Sequence, residues 1–108
     1  MDKVMFVELI NGLKEIFSSD LDSIILYGSV ACGTATEESD IDIAIILKSK
    51  LTSELENALS DFVVDMNLKY DKLFSVVDIE YARYQTWQDA LPFYNNISKE
   101  GVVLWKAA

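Results

Sequence analysis

The most constraining stretch of this sequence is Ile24-Ile25-Leu26-Tyr27-Gly28-Ser29, followed ten residues later by Asp40-Ile41-Asp42-Ile43. A short apolar, partly β-branched run ending on Gly-Ser reads as a buried strand entering a tight turn. Asp40 to Leu47 reads as a second strand, mostly Ile and Ala. The segment between the two is too short for a full crossover helix, so the strands are expected to pair antiparallel. Successive strand side chains point to opposite faces, which sets Asp40 and Asp42 on one face and Ile41 and Ile43 on the other. Two carboxylates side by side repel each other and raise the cost of ionising both. A strand gains from that arrangement only when a cation sits between them, and hard oxygen donors at this spacing suit Mg²⁺, which also takes triphosphate oxygens as ligands. Gly28 lets the backbone turn sharply and approach a ligand closely, with exposed N–H groups for phosphate oxygens and the Ser29 hydroxyl as a further donor. Each piece alone has a plainer reading: Gly-Ser after a strand is commonly just a turn, and Asp-x-Asp can be a solvated strand edge. The ordered combination is what points to chemistry.

Elsewhere the chain supplies a scaffold. Phe6, Leu9, Ile10, Leu13, Ile16 and Phe17 fall at helical spacing and predict a helix over 3–17. Residues 30–39, with Gly33, small side chains and Glu37-Glu38, read as a loop with one helical turn. Ser53 and Glu56 match a capping box, opening a helix that runs to about Lys69 with Leu55, Leu59, Phe62, Val63 and Met66 inward. Leu73 to Ile79 is a third strand, residues 80–90 look helical, Pro92 interrupts, and Asn95 to Lys99 leads into an apolar end, Val102 to Trp105. The order α-β-β-α-β-α predicts an α/β (α+β) fold, a small mixed sheet with helices packed on it, formed as one domain over residues 1–108.

With 108 residues, half of them apolar, the chain can bury a core without a staple. Its one cysteine, Cys32, forms no internal disulfide, and the N-terminus lacks a signal-peptide layout; both favour a reducing, cytoplasmic setting. The longest apolar stretches are strand-length, far short of the ~20 residues that span a bilayer. Nine basic residues against eighteen acidic ones, a formal charge of −9 with no histidine, argue against autonomous nucleic-acid binding. The same acidity complements a basic macromolecular partner.

The pattern Gly28-Ser29 … Ser39-Asp40-Ile41-Asp42 resembles the nucleotidyltransferase superfamily that includes DNA polymerase beta, and especially its minimal bacterial members. The resemblance covers residues 3–80 in element order and is strongest over 24–46. The ending, Leu91-Pro92-Phe93-Tyr94-Asn95-Asn96-Ile97 and Glu100-Gly101-Val102, is similar to tails of small members. It implies a palm-like fold, a nucleoside triphosphate such as ATP bound at Gly28, Ser29 and Ser39, and two Mg²⁺ ions held by Asp40, Asp42 and a third carboxylate on a neighbouring strand. Asp78 is the expected third acid, acting as or positioning the general base, with Glu80, two residues on, as the alternative. Many relatives carry Arg where this loop has Cys32, so the resemblance implies either lower affinity or turnover, or a cation for the triphosphate from elsewhere, such as Arg83 or a partner. Without histidine to activate it, Cys32 reads as a packing residue rather than a nucleophile.

The resemblance further implies transfer of AMP to a hydroxyl on a HEPN-domain partner, as the antitoxin of a toxin–antitoxin pair. Two other readings stand beside it: a nucleotide-binding module that neutralises its partner by masking it, and a transferase acting on a small molecule such as an aminoglycoside. Trp87 and Phe93-Tyr94 are the expected contact surface. Self-association, acceptor and preferred nucleotide are left open.

Overall fold

The computed structural model describes residues 3–36 and 39–108; the two loop glutamates, Glu37 and Glu38, lie outside them. Helix α1 (Lys3–Phe17) is followed by a short 3₁₀ turn and strand β1 (Leu21–Tyr27). A five-residue helical turn, α2 (Gly28–Cys32), leads through the loop to β2 (Ile41–Leu47), and α3 (Ser53–Tyr70) crosses over to β3 (Phe74–Glu80). Two short helices, α4 (Tyr81–Trp87) and α5 (Pro92–Glu100), precede β4 (Val102–Lys106).

The four strands form one mixed sheet in the order β3-β2-β1-β4. β1 runs antiparallel to both β2 and β4, whereas β2 and β3 are parallel. The expected antiparallel pairing of the first two strands is therefore present. β2 is central, and Ile41 and Ile43 to Leu47 are all buried, as in a strand covered on both faces. Asp42 is the exception, half-buried within that run.

One sheet face carries Ile24, Leu26, Ile41, Ile43, Ile45, Leu47, Phe74 and Val76 against α1 and α3, whose Met5, Leu9, Leu13, Phe17, Leu59 and Met66 are also buried. Each such side chain contributes about 1.5–3 kcal/mol by leaving water, so this face is the main source of stability. The other face is thinner. Ile25, Ala44, Ile46, Ile79, Tyr84 and Ile97 are buried there under α4 and α5, with Tyr27, Val77 and Tyr94 packed alongside. No helix among the described residues is long and apolar enough to cross a membrane.

Three local expectations change. The cap of α3 is Thr52, not Ser53: the Thr52 hydroxyl accepts from the Leu55 N–H at 3.2 Å. Position three of the helix is then Leu55, so no reciprocal Glu completes a capping box, and the single cap bond is worth about 1 kcal/mol. Pro92 does not interrupt a helix but opens one, at the first turn of α5, where its missing N–H costs nothing. The apolar tail is a full strand, β4, paired to β1 from Ser23↔Lys106 to Leu26↔Val102.

The two helices of the thick layer are clipped at the surface. Lys69 Nζ and Tyr70 Oη both donate to Glu8 Oε1, at 2.8 and 2.6 Å. The Lys69 bond, then the Tyr70 bond, hold the Glu8 pKa below its ordinary value of 4.5, and the same pairing raises that of Lys69. A carboxyl whose folded pKa is depressed stabilises the fold above its unfolded pKa and loses that contribution as pH falls through the folded one. Glu8→Gln is therefore expected to be less stable than wild type at pH 7, with the gap narrowing as pH falls below 4.5. Urea melts across that range check this; a gap independent of pH contradicts it.

Candidate active site

The junction of β1 and β2 gathers the residues singled out above. Tyr27, the last residue of β1, is the register partner of Asp42. Opposed residues of an antiparallel pair project to the same face, so the chain turns at Gly28 directly beside the Asp42 carboxylate. Gly28 has φ +76°, and a Cβ built there would lie 2.3 Å from Asp42 Oδ2. Glycine is required here twice, for its left-handed backbone and for the space the carboxylate fills. α2 begins at that residue without any side-chain cap, so the first-turn N–H groups of Gly28, Ser29 and Val30 are available to a ligand. Gly33, also left-handed at φ +75°, ends the turn, its N–H donating to Ser29 O and Val30 O.

Asp40 stands exposed just before β2. Burial, then the charge of Asp40, raises the Asp42 pKa above its ordinary 3.8. Burial and then Asp42 likewise raise the pKa of Tyr27 above 10.0. Among the described residues the one ion pair is Lys69–Glu8, so neither aspartate is neutralised by a lysine or arginine. A negative pair that is close, partly desolvated and unpaired is a donor set for a hard cation.

An aromatic wall borders the pair. Phe93 of α5 meets the Tyr27 ring edge-on at 5.5 Å and contacts Tyr94, which in turn packs on Tyr84. Phe93 keeps 44% of its surface exposed and Trp87 46%. Arg83 donates from Nε to Tyr94 Oη at 2.9 Å, which ties α4 to α5. Cys32 is exposed, with Sγ 4.0 Å from Glu100 Oε2. A cavity of about 240 Å³ lies on the same sheet face, among Ser23, Tyr84, Gln88, Ile97 and Lys106, and neither aspartate lines it.

The remaining expected site residues, Ser39 and Asp78, differ in their surroundings. Ser39 serves the loop: its Oγ accepts from the Thr36 N–H at 2.9 Å, and its own N–H donates to Thr36 O. Asp78 is not beside the aspartate pair. It is the register partner of Ile45, three positions beyond the partner of Asp42, or roughly 10 Å along the strand. It also alternates with Phe74 and Val76, placing it on the α1/α3 side, whereas Asp42 alternates with Ala44 on the other. Glu80 shares the Asp78 face and lies opposite Leu47, farther still. Both acids flank the start of α4, where negative charge complements the helix dipole. The β3 residue in register with Asp42, on its face and half-buried, is Ser75. Among the described residues no three acidic, Cys or His side chains are grouped to hold a metal.

Known proteins resemble this chain in sequence and in fold. The family described as "Polymerase beta, Nucleotidyltransferase" matches residues 11–108. A protein of Methanocaldococcus jannaschii, named as a candidate protein adenylyltransferase, is 32% identical over 102 residues, covering 91% of this chain and 92% of its own. A second candidate protein adenylyltransferase of that organism is 37% identical over 75 residues, covering 68% of this chain but 51% of its own, so the match spans about half the length of that relative. In fold, a chain from the complex of a tri-AMPylated Shewanella oneidensis HEPN toxin with MNT antitoxin superposes with TM-score 0.64 at 21% identity, over 99% of this chain and 74% of that one. The family match over nearly the whole chain, together with the turn-and-carboxylate geometry, leads to one assignment: the chain belongs to the polymerase beta nucleotidyltransferase family.

Proposed function

We propose that this protein transfers AMP from ATP to a hydroxyl on a protein partner, in the manner of an antitoxin acting on a HEPN-type toxin. The observation that carries the reading is the placement of the left-handed Gly28 against the Asp42 carboxylate, with Asp40 near enough to raise the cost of ionising it. The protein-adenylyltransferase names of its relatives and the AMPylated toxin in a structure of the same fold support the choice of nucleotide and acceptor.

In this reading the α2 turn receives the triphosphate, through its uncapped N–H groups and the Ser29 hydroxyl. Asp40 and Asp42 would hold divalent magnesium, which fits them because they are hard oxygen donors lacking any counter-charge among the described residues. When bound, the metal neutralises phosphate charge and acidifies the acceptor hydroxyl. The chain's own contribution is positional: β1 and β2 fix the turn and the carboxylates relative to one another, and Tyr27 with Phe93 walls the side from which an acceptor approaches. Transfer joins the acceptor oxygen to the α-phosphorus and releases pyrophosphate and a proton.

A second reading, neutralisation by binding alone, is favoured by a specific feature: the segment from Gly28 to Ser39 contains no Lys or Arg to offset triphosphate charge. One experiment separates the two. The protein is incubated with ATP, Mg²⁺ and a HEPN-domain protein, and intact masses are measured. A gain of one or more AMP units on the partner is the expected result; a stable, unmodified complex selects the binding role instead.

A further inference from the structure

The strand register exposes a vacancy of charge in the site. Ser75 is the β3 partner of Asp42, and directly registered residues of a parallel pair lie about 4.8 Å apart with side chains on the same face. Val77 and Ile79, which alternate with Ser75, pack on the Ala44 face of the sheet, so that face is assigned by contacts as well as by register. The Ser75 side chain is half-buried, and its hydroxyl makes no hydrogen bond to a described residue. Register therefore sets one neutral hydroxyl beside the Asp42 carboxylate, with Asp40 two residues before it in the chain.

We infer that Ser75 is the third oxygen donor of the cation site, and that its neutrality sets how tightly the free protein holds a divalent ion. This rests on the Asp40/Asp42 reading above and deepens it. Cation affinity at oxygen sites rises with the number of charged ligands. With two carboxylates the free protein holds a divalent ion weakly, and the triphosphate oxygens supply the missing negative charge. Metal and nucleotide then enter together, each raising affinity for the other by the same factor. An aspartate at position 75 would fill the vacancy and uncouple the two.

The test is a Mn²⁺ titration followed by electron paramagnetic resonance, with and without α,β-methylene ATP, whose scissile bond is blocked. Ser75→Asp is expected to bind Mn²⁺ about tenfold more tightly than wild type in the absence of nucleotide, with the nucleotide-induced gain reduced. Ser75→Asn has the same shape without the charge and is expected to show no such gain. Ser75→Ala is expected to weaken nucleotide-dependent Mn²⁺ binding severalfold, and Asp78→Ala to leave it unchanged. A third acid also adds repulsion, so Ser75→Asp should melt earlier than Ser75→Asn without metal and recover on adding Mn²⁺. Equal Mn²⁺ affinity in Ser75→Asp and Ser75→Asn, or weakening by Asp78→Ala, overturns the inference. Asp42→Asn distinguishes the deeper failure: undiminished Mn²⁺ binding in that variant would remove the cation site itself, whatever Ser75 does.

Discussion

Asp42→Asn is expected to reduce AMP transfer by about a thousandfold while making the metal-free protein more stable at neutral pH. The activity estimate follows from magnitudes. A metal-holding carboxylate underwrites several kcal/mol of transition-state stabilisation, and each ~1.4 kcal/mol is tenfold in rate. The stability effect runs the opposite way because the fold works against this charge. Burial, then Asp40, raises the Asp42 pKa above 3.8, so the folded chain binds a proton more readily there than the unfolded one. Stability therefore falls as pH rises through the interval from 3.8 to the folded value, and the penalty is complete above it. Asparagine removes the penalty and keeps the shape. Melting curves at pH 7 should place the variant above wild type, with the two converging as pH falls below 3.8. Adding Mg²⁺ with ATP should raise only the wild type. Asp40→Asn should lose activity in the same way with a smaller stability gain, since that side chain is exposed. An Asp42→Asn protein that retains activity, or that is less stable at pH 7, would mean that the carboxylate serves the fold rather than a ligand.

What the sequence disclosed and what it withheld divide along a physical line. Features set by local chemistry were legible. The α1 span matches its expected bounds, and Leu9, Leu13 and Phe17 of the expected face are buried together with Met5, because a helix face is written at intervals of three and four. The Gly28 turn, and the facing of Asp42 away from Ile41 and Ile43, follow from the steric freedom of glycine and from strand alternation. Register between strands distant in sequence was not legible. Asp78 looked like a third acid because it is the first carboxylate of its strand, yet the length and seating of α3 fix which β3 residue meets Asp42, and that residue is Ser75. One signal could have excluded Asp78: its spacing from Phe74 and Val76 puts it on the face those large side chains bury. Ser75 carried no signal, since an isolated serine in a strand looks like any polar alternate. The β4 strand was read only as an apolar tail, because a short run with two valines exposed at its start gains its ladder from β1 and not from its own pattern. The α3 cap slipped by one residue because Thr52 and Ser53 are both good caps, and backbone geometry chooses between them.

Gly28→Ala should cut transfer by at least about a hundredfold, while Gly33→Ala, at nearly the same backbone angle, should spare it. The two glycines have φ of +76° and +75°, so alanine meets the same left-handed strain at each, about 1–2 kcal/mol. They differ in what the new methyl meets. At Gly33 nothing lies within 4 Å, whereas at Gly28 the methyl would fall 2.3 Å from Asp42 Oδ2 and 3.2 Å from its Cγ. That overlap cannot persist, so either the carboxylate rotates off its position or the turn lifts away from β2. Both motions separate the phosphate-binding turn from the cation-binding acids, and a displacement near 1 Å at reacting groups is enough for about a hundredfold loss. Destabilisation of both variants in thermal melts, at least as large in Gly28→Ala as in Gly33→Ala, with at least that loss of AMP transfer and of α,β-methylene ATP binding in Gly28→Ala alone, is the expected pattern. If both variants keep activity, the contact between Gly28 and Asp42 is ordinary packing. If both lose it, the loop conformation as a whole matters, and the close approach of turn to carboxylate is not what organises the site.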